Sequence, residues 1–378
     1  MNFGFSEDQE MIRKSAKDFV AGESSMERIR ALRDGGGGYS TELYQRIADN
    51  GWVGAVLPEE YGGVGLGYVD LICILEEFGK GLLPEPVISN AILAGNTILQ
   101  AGSEEQKNDL LPRIADGSLK ATLAAYELAG RFDPAFVETT ATASGEGYVL
   151  NGRKDLVPDA RTADKIIVSA RTSGKAGDAE GITLFILDRK TSGATLTPVR
   201  TMDFHHRDTL ELKDVTVGAD AMLGELGKAS AILEHTIERA ALCLSAEMVG
   251  GMEEALQRTV AYTHERVQFD KPIAGFQALK HKAANMYVDM EMARSTMYYA
   301  AMAIDNDMPD LGKSVAAAKA NCSDGYLRIT KEAIQLHGGI GYTDEHDIHF
   351  FYKRAVAANA SFGDAAHHRE RYLRELSA

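Results

Sequence analysis

The sequence predicts an α+β protein that has a helical domain, a small β-barrel or β-sandwich domain and a second helical domain built as a four-helix bundle. Three observations predict it. Residues 1–120 show the hydrophobic spacing of helices. Residues 121–226 consist of short β-branched runs separated by Gly, Asp, Asn and Pro. Residues 227–378 return to long helical runs, and a chain of 378 residues is long enough for such an arrangement.

In the first domain, helix-start signals precede amphipathic runs. Ser6 with Glu10 is typical of a helix start, and Thr41 begins the run TELYQRIADNGWVGAVL. A further run, YVDLICILEEFGKGL, has Gly79 and Gly81 near its end, where glycines favour helix termination. These patterns predict that this region is helical.

The middle region predicts antiparallel strands in six β-branched runs. They are ATLAAYEL, VETTATAS, GYVLNGRK, KIIVSART, GITLFILD and ATLTPVR. The last region contains two long helical runs, ASAILEHTIERAALCLSAEMVGGMEEALQRTVAYTHERV and SVAAAKANCSDGYLRITKEAIQLHGG. Helices so long and so rich in Ala, Met and Leu favour a bundle whose faces are covered by neighbours, other subunits included.

Composition excludes several classes of protein. A formal net charge of -15 argues against nucleic-acid binding, although a local basic patch could still bind a small anion. Cys73, Cys243 and Cys322 lack CxxC spacing, so we expect small buried side chains in a reducing compartment. The charged N-terminus is unlike a signal peptide, and no apolar run reaches the roughly 20 residues of a membrane helix. These observations predict a soluble, cytoplasmic protein.

Several stretches together resemble the acyl-CoA dehydrogenase family. ERVQFDKPIAGFQALKHKAANM is similar to the family's R-x-x-F-G-x-P-I…Q segment, with Asp270 in place of Gly. EAIQLHGGIGYTDEHDIHFFYKRA is similar to its Q-x-x-G-G-x-G-Y segment. NGRKDLVPDARTADKIIVSART resembles the β-domain stretch after the flavin loop, and LPEEYGG a stretch of the first domain. The matches are collinear over nearly the whole chain, which makes the combination specific.

The resemblance implies an oligomer, usually a tetramer, with FAD lying across a dimer interface. It also implies the reaction. A carboxylate removes the α-proton of an acyl-CoA thioester while the β-hydrogen leaves as hydride to the flavin, which carries the redox chemistry. Electrons would then pass to an electron-transfer flavoprotein.

By the same resemblance, one set of residues corresponds to positions that hold the ADP part of FAD bound mainly by a neighbouring subunit. A guanidinium suits the pyrophosphate, and glycines let backbone N–H groups approach it. The alternative is a solvated helix-end charge and a glycine helix cap. The set is Arg266, Phe269, Gln277, Gln335, Gly338 and Gly339.

The other half of the cofactor site is altered. The family's T-E-P-x-A-G-S-D loop corresponds to residues 126–133, so the resemblance assigns cofactor contacts to Glu127, Ala129, Gly130 and Arg131. Tyr126 replaces Thr, Leu128 replaces Pro and Arg131 replaces Ser. Farther along, Pro158 lies in the stretch where many members place Thr or Ser against the flavin, and it has no hydrogen-bond donor. These changes put flavin binding by this chain alone in doubt.

Neither usual position of the catalytic base holds a carboxylate. The C-terminal Y-E-G-T stretch corresponds to Ser361-Phe362-Gly363-Asp364, which places Phe362 at the Glu position and leaves Asp364 a weak candidate. The second family position, on the long helix before Arg266, is Ala240 in a count without gaps.

Glu247 is the remaining candidate base. It lies seven residues beyond Ala240, and so on the same helical face, about 10 Å farther along the axis. Apolar neighbours are expected to raise the pKa of its carboxyl, as a base requires. An equally weighted interpretation is a structural Glu satisfied by a hydroxyl or an Arg from another helix. Glu238, beside Glu234 and His235, is expected on a solvated face.

Five histidines near the C-terminus suggest no metal site. His337, His346 and His349 form no i, i+4 pair, and the family that the chain resembles uses no metal, so structural roles are expected. We expect His367 and His368 to be exposed.

The combined pattern resembles the partner subunits of heteromeric (α2β2) bacterial acyl-CoA dehydrogenases, known from steroid side-chain breakdown. The first hypothesis is therefore a subunit that completes the FAD site of an active partner. Two alternatives stay open. One is a self-sufficient homotetrameric acyl-CoA dehydrogenase with Glu247 as base. The other is a non-enzymatic CoA-ester-binding scaffold that keeps only the fold. With or without a partner, the resemblance implies a role in fatty acid or steroid side-chain β-oxidation.

Overall fold

A computed structural model describes residues 5–376 and divides into two compact units. The helical unit comprises Met1–Gly35, Gly67–Leu83 and Ala241–Ala378, and the sheet unit comprises Gly36–Leu66 and Pro84–Ala240. The outer ends of the predicted domains, at residues 1 and 378, lie outside the described residues. The inner domain boundaries, near residues 120 and 226, stay a prediction.

The α-helices within residues 5–376 follow one another in this order: α1 (Glu7–Glu23), α2 (Met26–Asp34), α3 (Thr41–Asp49), α4 (Tyr68–Lys80), α5 (Asn96–Ala101), α6 (Glu104–Ala115), α7 (Ser230–Glu265), α8 (Gln277–Asp305), α9 (Leu311–His337), α10 (Ile348–Asn359) and α11 (Ala365–Leu376). A π-helical segment, Ile88–Gly95, precedes α5. The predicted helical character of the first and last regions is confirmed.

The predicted helix starts are confirmed, although Gln9 and not Glu10 is the residue whose side chain pairs with Ser6. The Gln9 backbone N–H donates to Ser6 Oγ at 3.1 Å, and the Ser6 N–H donates to Gln9 Oε1 at 3.0 Å, a reciprocal capping box. The next predicted start is also confirmed, with Ser40 as N-cap accepting the Leu43 N–H at 3.2 Å. α4 ends at Lys80, directly before Gly81.

In the helical unit, α9 packs against α8, α10 and α11, and α4 packs against α1 and α8. Two glycines let α4 and α7 cross with their backbones in contact. A Cβ on Gly250 would lie 1.8 Å from Glu76 O, and a Cβ on Gly79 would lie 2.0 Å from Glu247 O. Any larger residue would push the helices apart, so this crossing fixes the position of the Glu247 backbone.

The strands within the described residues are β1 (Ala121–Ala124), β2 (Thr140–Ser144), β3 (Gly147–Pro158), β4 (Lys165–Arg171), β5 (Ile182–Asp188), β6 (Ala194–Val199), β7 (Arg207–Gly218), β8 (Met222–Leu223), β9 (Val267–Gln268) and β10 (Lys271–Pro272). The main sheet has the order β6-β7-β3-β2-β4-β5-β8, with β1 also paired to β4. β9 and β10 form a separate hairpin.

The sheet is mixed, so the expectation of an antiparallel domain was wrong for two pairings, both of them with β4. β1 pairs with β4 in parallel, with Ala121 opposite Lys165, and β2 touches β4 in parallel at Thr140 and Arg171. The reason is the connection between β1 and β4. It contains the β2–β3 hairpin and is long enough for the chain to return and place β4 beside β1 in the same direction. The other pairings among β2–β8 are antiparallel.

β7 is not among the strands predicted from the sequence, and it lies between β6 and β3 in the sheet. β7 pairs with β3 along most of its length. Leu210, Leu212 and Val215 of β7 are buried in the core of the sheet unit. Its run DTLELKDVTVG alternates with charged residues, as expected of a strand with one face on the core.

All three cysteines are buried and free, as predicted. Cys73 and Cys322 have a raised pKa because burial disfavours the thiolate, so both are poorly reactive thiols. Within residues 5–376 we find no helix with the length and apolar character needed to cross a bilayer.

Candidate cofactor site

The chain leaves α7 through the β9–β10 hairpin, whose turn is Phe269–Asp270. Both turn residues have a positive φ, 55° and 61°, as a tight hairpin turn requires. Asp tolerates this left-handed region better than most residues, so the turn persists although Asp270 replaces Gly. Phe269 is 85% exposed at the tip, and Arg266, just before the hairpin, is exposed as well.

A second predicted segment begins where α9 ends. Gly338 follows the helix with a φ of 66°, a conformation that favours glycine. No described neighbouring atom lies within 4 Å of a Cβ built on Gly338 or Gly339, so open space faces both. Gln335 is exposed, and Tyr342 is 83% exposed.

Tyr262 joins the two segments. Its hydroxyl donates to His337 O at 3.1 Å, and its ring stacks on the His337 ring at 4.4 Å. The Arg266 N–H donates to Tyr262 O at 2.9 Å. The ends of α7 and α9 therefore lie together, which places Arg266 near the two glycines. The sequence signal that could have identified Tyr262 is an aromatic residue one helical turn before Arg266.

These residues fit the ADP half of a dinucleotide. A guanidinium binds pyrophosphate oxygens in a bidentate way, and glycines with free space above them let backbone groups approach a phosphate. Gln277, the first residue of α8, is exposed and could donate or accept a hydrogen bond. The assignment of each residue to FAD stays a prediction.

Two arginines of α2 anchor the segment that follows the glycines. Arg30 Nη2 lies 2.6 Å from Asp347 Oδ1, and Arg30 Nη1 donates to Asp344 O at 2.5 Å. Arg33 pairs with the Asp344 carboxylate. Both guanidinium groups lie over the Phe350 ring, at 5.2 and 5.3 Å. Residues 344–350 are thus tied to the N-terminal part of the helical unit.

In the sheet unit, Glu127 is an internal anchor of the predicted flavin loop. Its carboxylate accepts the N–H groups of Glu138 and Thr139 at 2.8 and 3.0 Å and pairs with Lys154 Nζ at 2.8 Å. Burial lowers the pKa of Lys154 to about 8, with the Glu127 charge acting in the opposite direction. Burial alone would raise the pKa of Glu127, but Lys154 and the hydrogen bonds hold it below its usual value.

The other predicted residues of this loop lie at its surface. Leu128–Gly130 form one 3₁₀ turn, in which Ala129 is exposed. Asp155 accepts the Leu128 N–H at 3.0 Å and holds the turn in place. Arg131 is exposed with a φ of 53°, and the Leu128 side chain is 70% exposed. This loop presents an apolar side chain and a cation where the family motif has Pro and Ser.

The end of β3 offers few hydrogen-bond donors. A β-bulge between Lys154 and Val157 leaves Leu156 with a φ of 54° and 50% exposure. Pro158 has no N–H, and its carbonyl accepts the Thr122 hydroxyl at 2.7 Å. The Leu156 side chain and Pro158 therefore offer no hydrogen-bond donor to a flavin ring.

The structure gives Glu247 a charged partner. Its carboxylate lies 2.5 Å from Arg354 Nη2 of α10, and each side chain is 12% exposed. An adjacent guanidinium favours the ionised carboxylate and disfavours proton uptake. This is the contact that the structural interpretation of Glu247 expects, and its role as base stays a prediction. Ala240 is fully buried, and Phe362 is half-buried with a φ of 56°.

Two expectations of exposure were wrong. Glu238 is 8% exposed, 3.8 Å from the Arg239 guanidinium, because this part of α7 is buried on more than one face. His368 is 2% exposed, and its Nε2 lies 2.8 Å from Phe362 O. The cause is α11, which turns His368 and Ala365 inward. In the described part of the chain, no group of His, Cys, Asp and Glu side chains is arranged to hold a metal ion.

Comparison with known proteins identifies the family. Residues 6–118, 122–215 and 228–377 match the family models for the N-terminal, middle and C-terminal domains of acyl-CoA dehydrogenase. The chain therefore belongs to the acyl-CoA dehydrogenase family, a family of oxidoreductases, and has the predicted order of a helical, a β and a second helical domain.

Three relatives illustrate the range of the family. Butyryl-CoA dehydrogenase from Megasphaera elsdenii matches with a TM-score of 0.93, 30% identity and 100% coverage of both chains. The caffeyl-CoA reductase-Etf complex subunit CarC from Acetobacterium woodii is 31% identical over 92% of this chain and 93% of its own. The ChsE4-ChsE5 complex from Mycobacterium tuberculosis matches with a TM-score of 0.90, 25% identity and coverage of 100% and 99%.

Proposed function

We propose that this chain is a subunit of a heteromeric acyl-CoA dehydrogenase and supplies the adenosine-side half of an FAD site to an active partner. One observation carries the proposal: the two halves of the cofactor site differ. Arg266, Phe269 and the glycines after α9 are exposed and face open space. The flavin-side positions hold Pro158 and an internally paired Glu127.

The residues at the positions expected for the catalytic base support the same assignment. Phe362 cannot accept a proton, and the Glu247 carboxylate is held by Arg354. A chain that lacks a free carboxylate at this point gains activity only if another subunit supplies one. Bound FAD would accept the hydride from an acyl-CoA thioester, while Arg266 and the glycine segment of this chain would hold its pyrophosphate.

Two relatives support the choice of partner proteins. The ChsE4-ChsE5 structure is a complex of two chains, and CarC is a subunit of a complex with an electron-transfer flavoprotein. We therefore assign a second dehydrogenase subunit and an electron-transfer flavoprotein as partners, in a tetramer with two kinds of subunit. A cytoplasmic location stays a prediction from the sequence.

The test is co-expression with a second dehydrogenase-like chain that has the Thr-Glu-Pro loop and the catalytic Glu. We expect co-purification of a yellow complex and dehydrogenation of acyl-CoA by the complex alone. Arg266→Gln should weaken FAD retention by the complex about tenfold or more, because it removes a charge-assisted contact to phosphate. Lys190→Gln, which removes an exposed charge of the sheet unit, is the matched control. A flavinated and active homotetramer of this chain would overturn the proposal.

The same preparations separate the alternatives. If the chain works alone with Glu247 as base, Glu247→Gln should abolish substrate-induced flavin bleaching and leave FAD bound. If bleaching is unchanged, Glu247 is not the base. A protein that stays colourless with every candidate partner, yet binds CoA esters, would instead be a scaffold that retains only the fold.

A further inference from the structure

The side chain of Lys319 on α9 lies under the loop of residues 361–364, which we call the 362 loop. It is 0% exposed. Its Nζ donates to Gly363 O at 2.8 Å, to Ser323 Oγ at 3.0 Å and to Ala358 O at 3.2 Å, with Asn359 O at 3.5 Å. The ammonium group therefore caps the C-terminal carbonyls of α10 and holds the loop that follows.

His368 holds the neighbouring carbonyl. Its Nε2 lies 2.8 Å from Phe362 O. The carbonyls of Phe362 and Gly363 are thus hydrogen-bonded by two buried side chains, His368 and Lys319. Phe362 has a φ of 56° and Gly363 a φ of 98°. A non-glycine residue in the left-handed region is strained and persists only where its surroundings hold it there. The two side chains supply that restraint.

Burying Lys319 is costly. None of its hydrogen bonds runs to a carboxylate, and burial lowers its pKa to about 7. The titratable groups that face it are Cys322 on its own helix, Asp364 in the loop and His368 on α11. An apolar side chain would avoid the cost but would remove the ammonium donor from the carbonyls of Ala358, Asn359 and Gly363. What Lys319 provides, and an apolar residue would not, is the set of hydrogen bonds that holds the 362 loop in its conformation.

We propose that Lys319 and His368 are positioning residues that hold the 362 loop in a fixed conformation. The loop backbone is thereby kept in place although Phe362 occupies the position at which the family motif has the catalytic Glu. The chain therefore differs from the family motif here in the side chain of residue 362, and the backbone of the loop is unaffected. Phe362→Glu would place a carboxyl on an unchanged backbone. The inference concerns this chain by itself and does not depend on which subunit binds the flavin.

The experiment uses 4-fluorophenylalanine in place of Phe362 and records ¹⁹F NMR spectra of the full chain. The unmodified background should give one narrow line. In Lys319→Met the line should split or broaden, because the Gly363 carbonyl loses its donor. Lys331→Met, an exposed lysine on the same helix, is the matched control and should keep the single line.

A pH series separates positioning from general packing. The ¹⁹F shift should titrate with a midpoint near the pKa of about 7 that burial gives Lys319. The titration should disappear in Lys319→Met and remain in Lys331→Met. If Lys319→Met does not fold, His368→Leu decides, since it removes the donor to Phe362 O: a split line supports the proposal. An unchanged line in the folded variants, or a shift independent of pH in the wild type, would overturn it.

Discussion

At the residue scale, the buried pair of Lys154 and Glu127 links β3 to the predicted flavin loop. Lys154 is fully buried, and Glu127 is nearly so. Lys154→Met leaves the Glu127 carboxylate buried without its cation, which costs about 3–5 kcal/mol of unfolding free energy. Urea unfolding of the two proteins measures this loss.

The control for this variant is Lys165→Met. Lys165 lies 3.0 Å from Asp188, whose side chain is 73% exposed. Removing such a surface pair should change the unfolding free energy by no more than about 1 kcal/mol. Equal losses in the two variants would mean that burial of the Lys154 pair contributes nothing.

His368 makes stability depend on pH. Burial, with a smaller contribution from the Lys319 charge, lowers the pKa of His368 from 6.5 to about 3. The folded state therefore binds fewer protons than the unfolded state between these values. The stabilisation is complete above pH 6.5 and is lost as the pH falls towards 3.

His368→Gln checks this dependence, because glutamine can donate to the same carbonyl without titrating. The fall in unfolding free energy between pH 7 and pH 4 should be smaller in this variant, by up to about 1.4 kcal/mol per pH unit. His264→Gln, an exposed histidine, should keep the wild-type slope. Parallel slopes for all three proteins would contradict the assignment.

At the element scale, the crossing of α4 and α7 depends on Gly250. A Cβ there would lie 1.8 Å from Glu76 O, so Gly250→Ala should cost about 1–3 kcal/mol although alanine favours helix. Gly22→Ala in α1 is the matched variant, because among residues 5–376 no atom outside its own helix turn lies within 4 Å of a Cβ built on Gly22. It should stabilise the protein by up to about 1 kcal/mol. Thermal unfolding compares the two, and a stabilising Gly250→Ala would refute the close crossing.

The elements that could be predicted from sequence are those with local causes. Ser6 and Gly81 mark helix ends through contacts with residues close in the chain. β7 and the parallel pairing of β1 with β4 depend on distant partners, which spacing does not reveal. The burial of His368 likewise follows from packing against a loop and not from the composition of α11.

For the candidate site, the sequence identified the segments and missed what connects them. Arg266 and Gly338 lie in recognisable motifs, but Tyr262, which joins them, belongs to no such motif. The anchoring of Asp344 by Arg30 and Arg33 joins residues about three hundred positions apart. Pair contacts at that separation are set by the folded chain and leave no periodic signal.

At the scale of the whole molecule, the proposed function requires two unlike subunits. Each copy of this chain offers an exposed set of residues suited to pyrophosphate, while its flavin-side loop has Leu128 and Arg131 where the family motif has Pro and Ser, and Pro158 offers no donor. On the proposed function, such a chain would complete the FAD site of its partner, and its own flavin-side positions would hold no flavin ring. The number of flavins therefore distinguishes this assembly from a homotetramer, in which every subunit binds FAD.

The most direct test is the FAD content of the purified complex, determined from flavin absorbance and from the amount of each chain. We expect a single FAD for each pair of unlike subunits, and no flavin in this chain purified by itself. A flavin for every chain, or a yellow homotetramer of this chain alone, would contradict it.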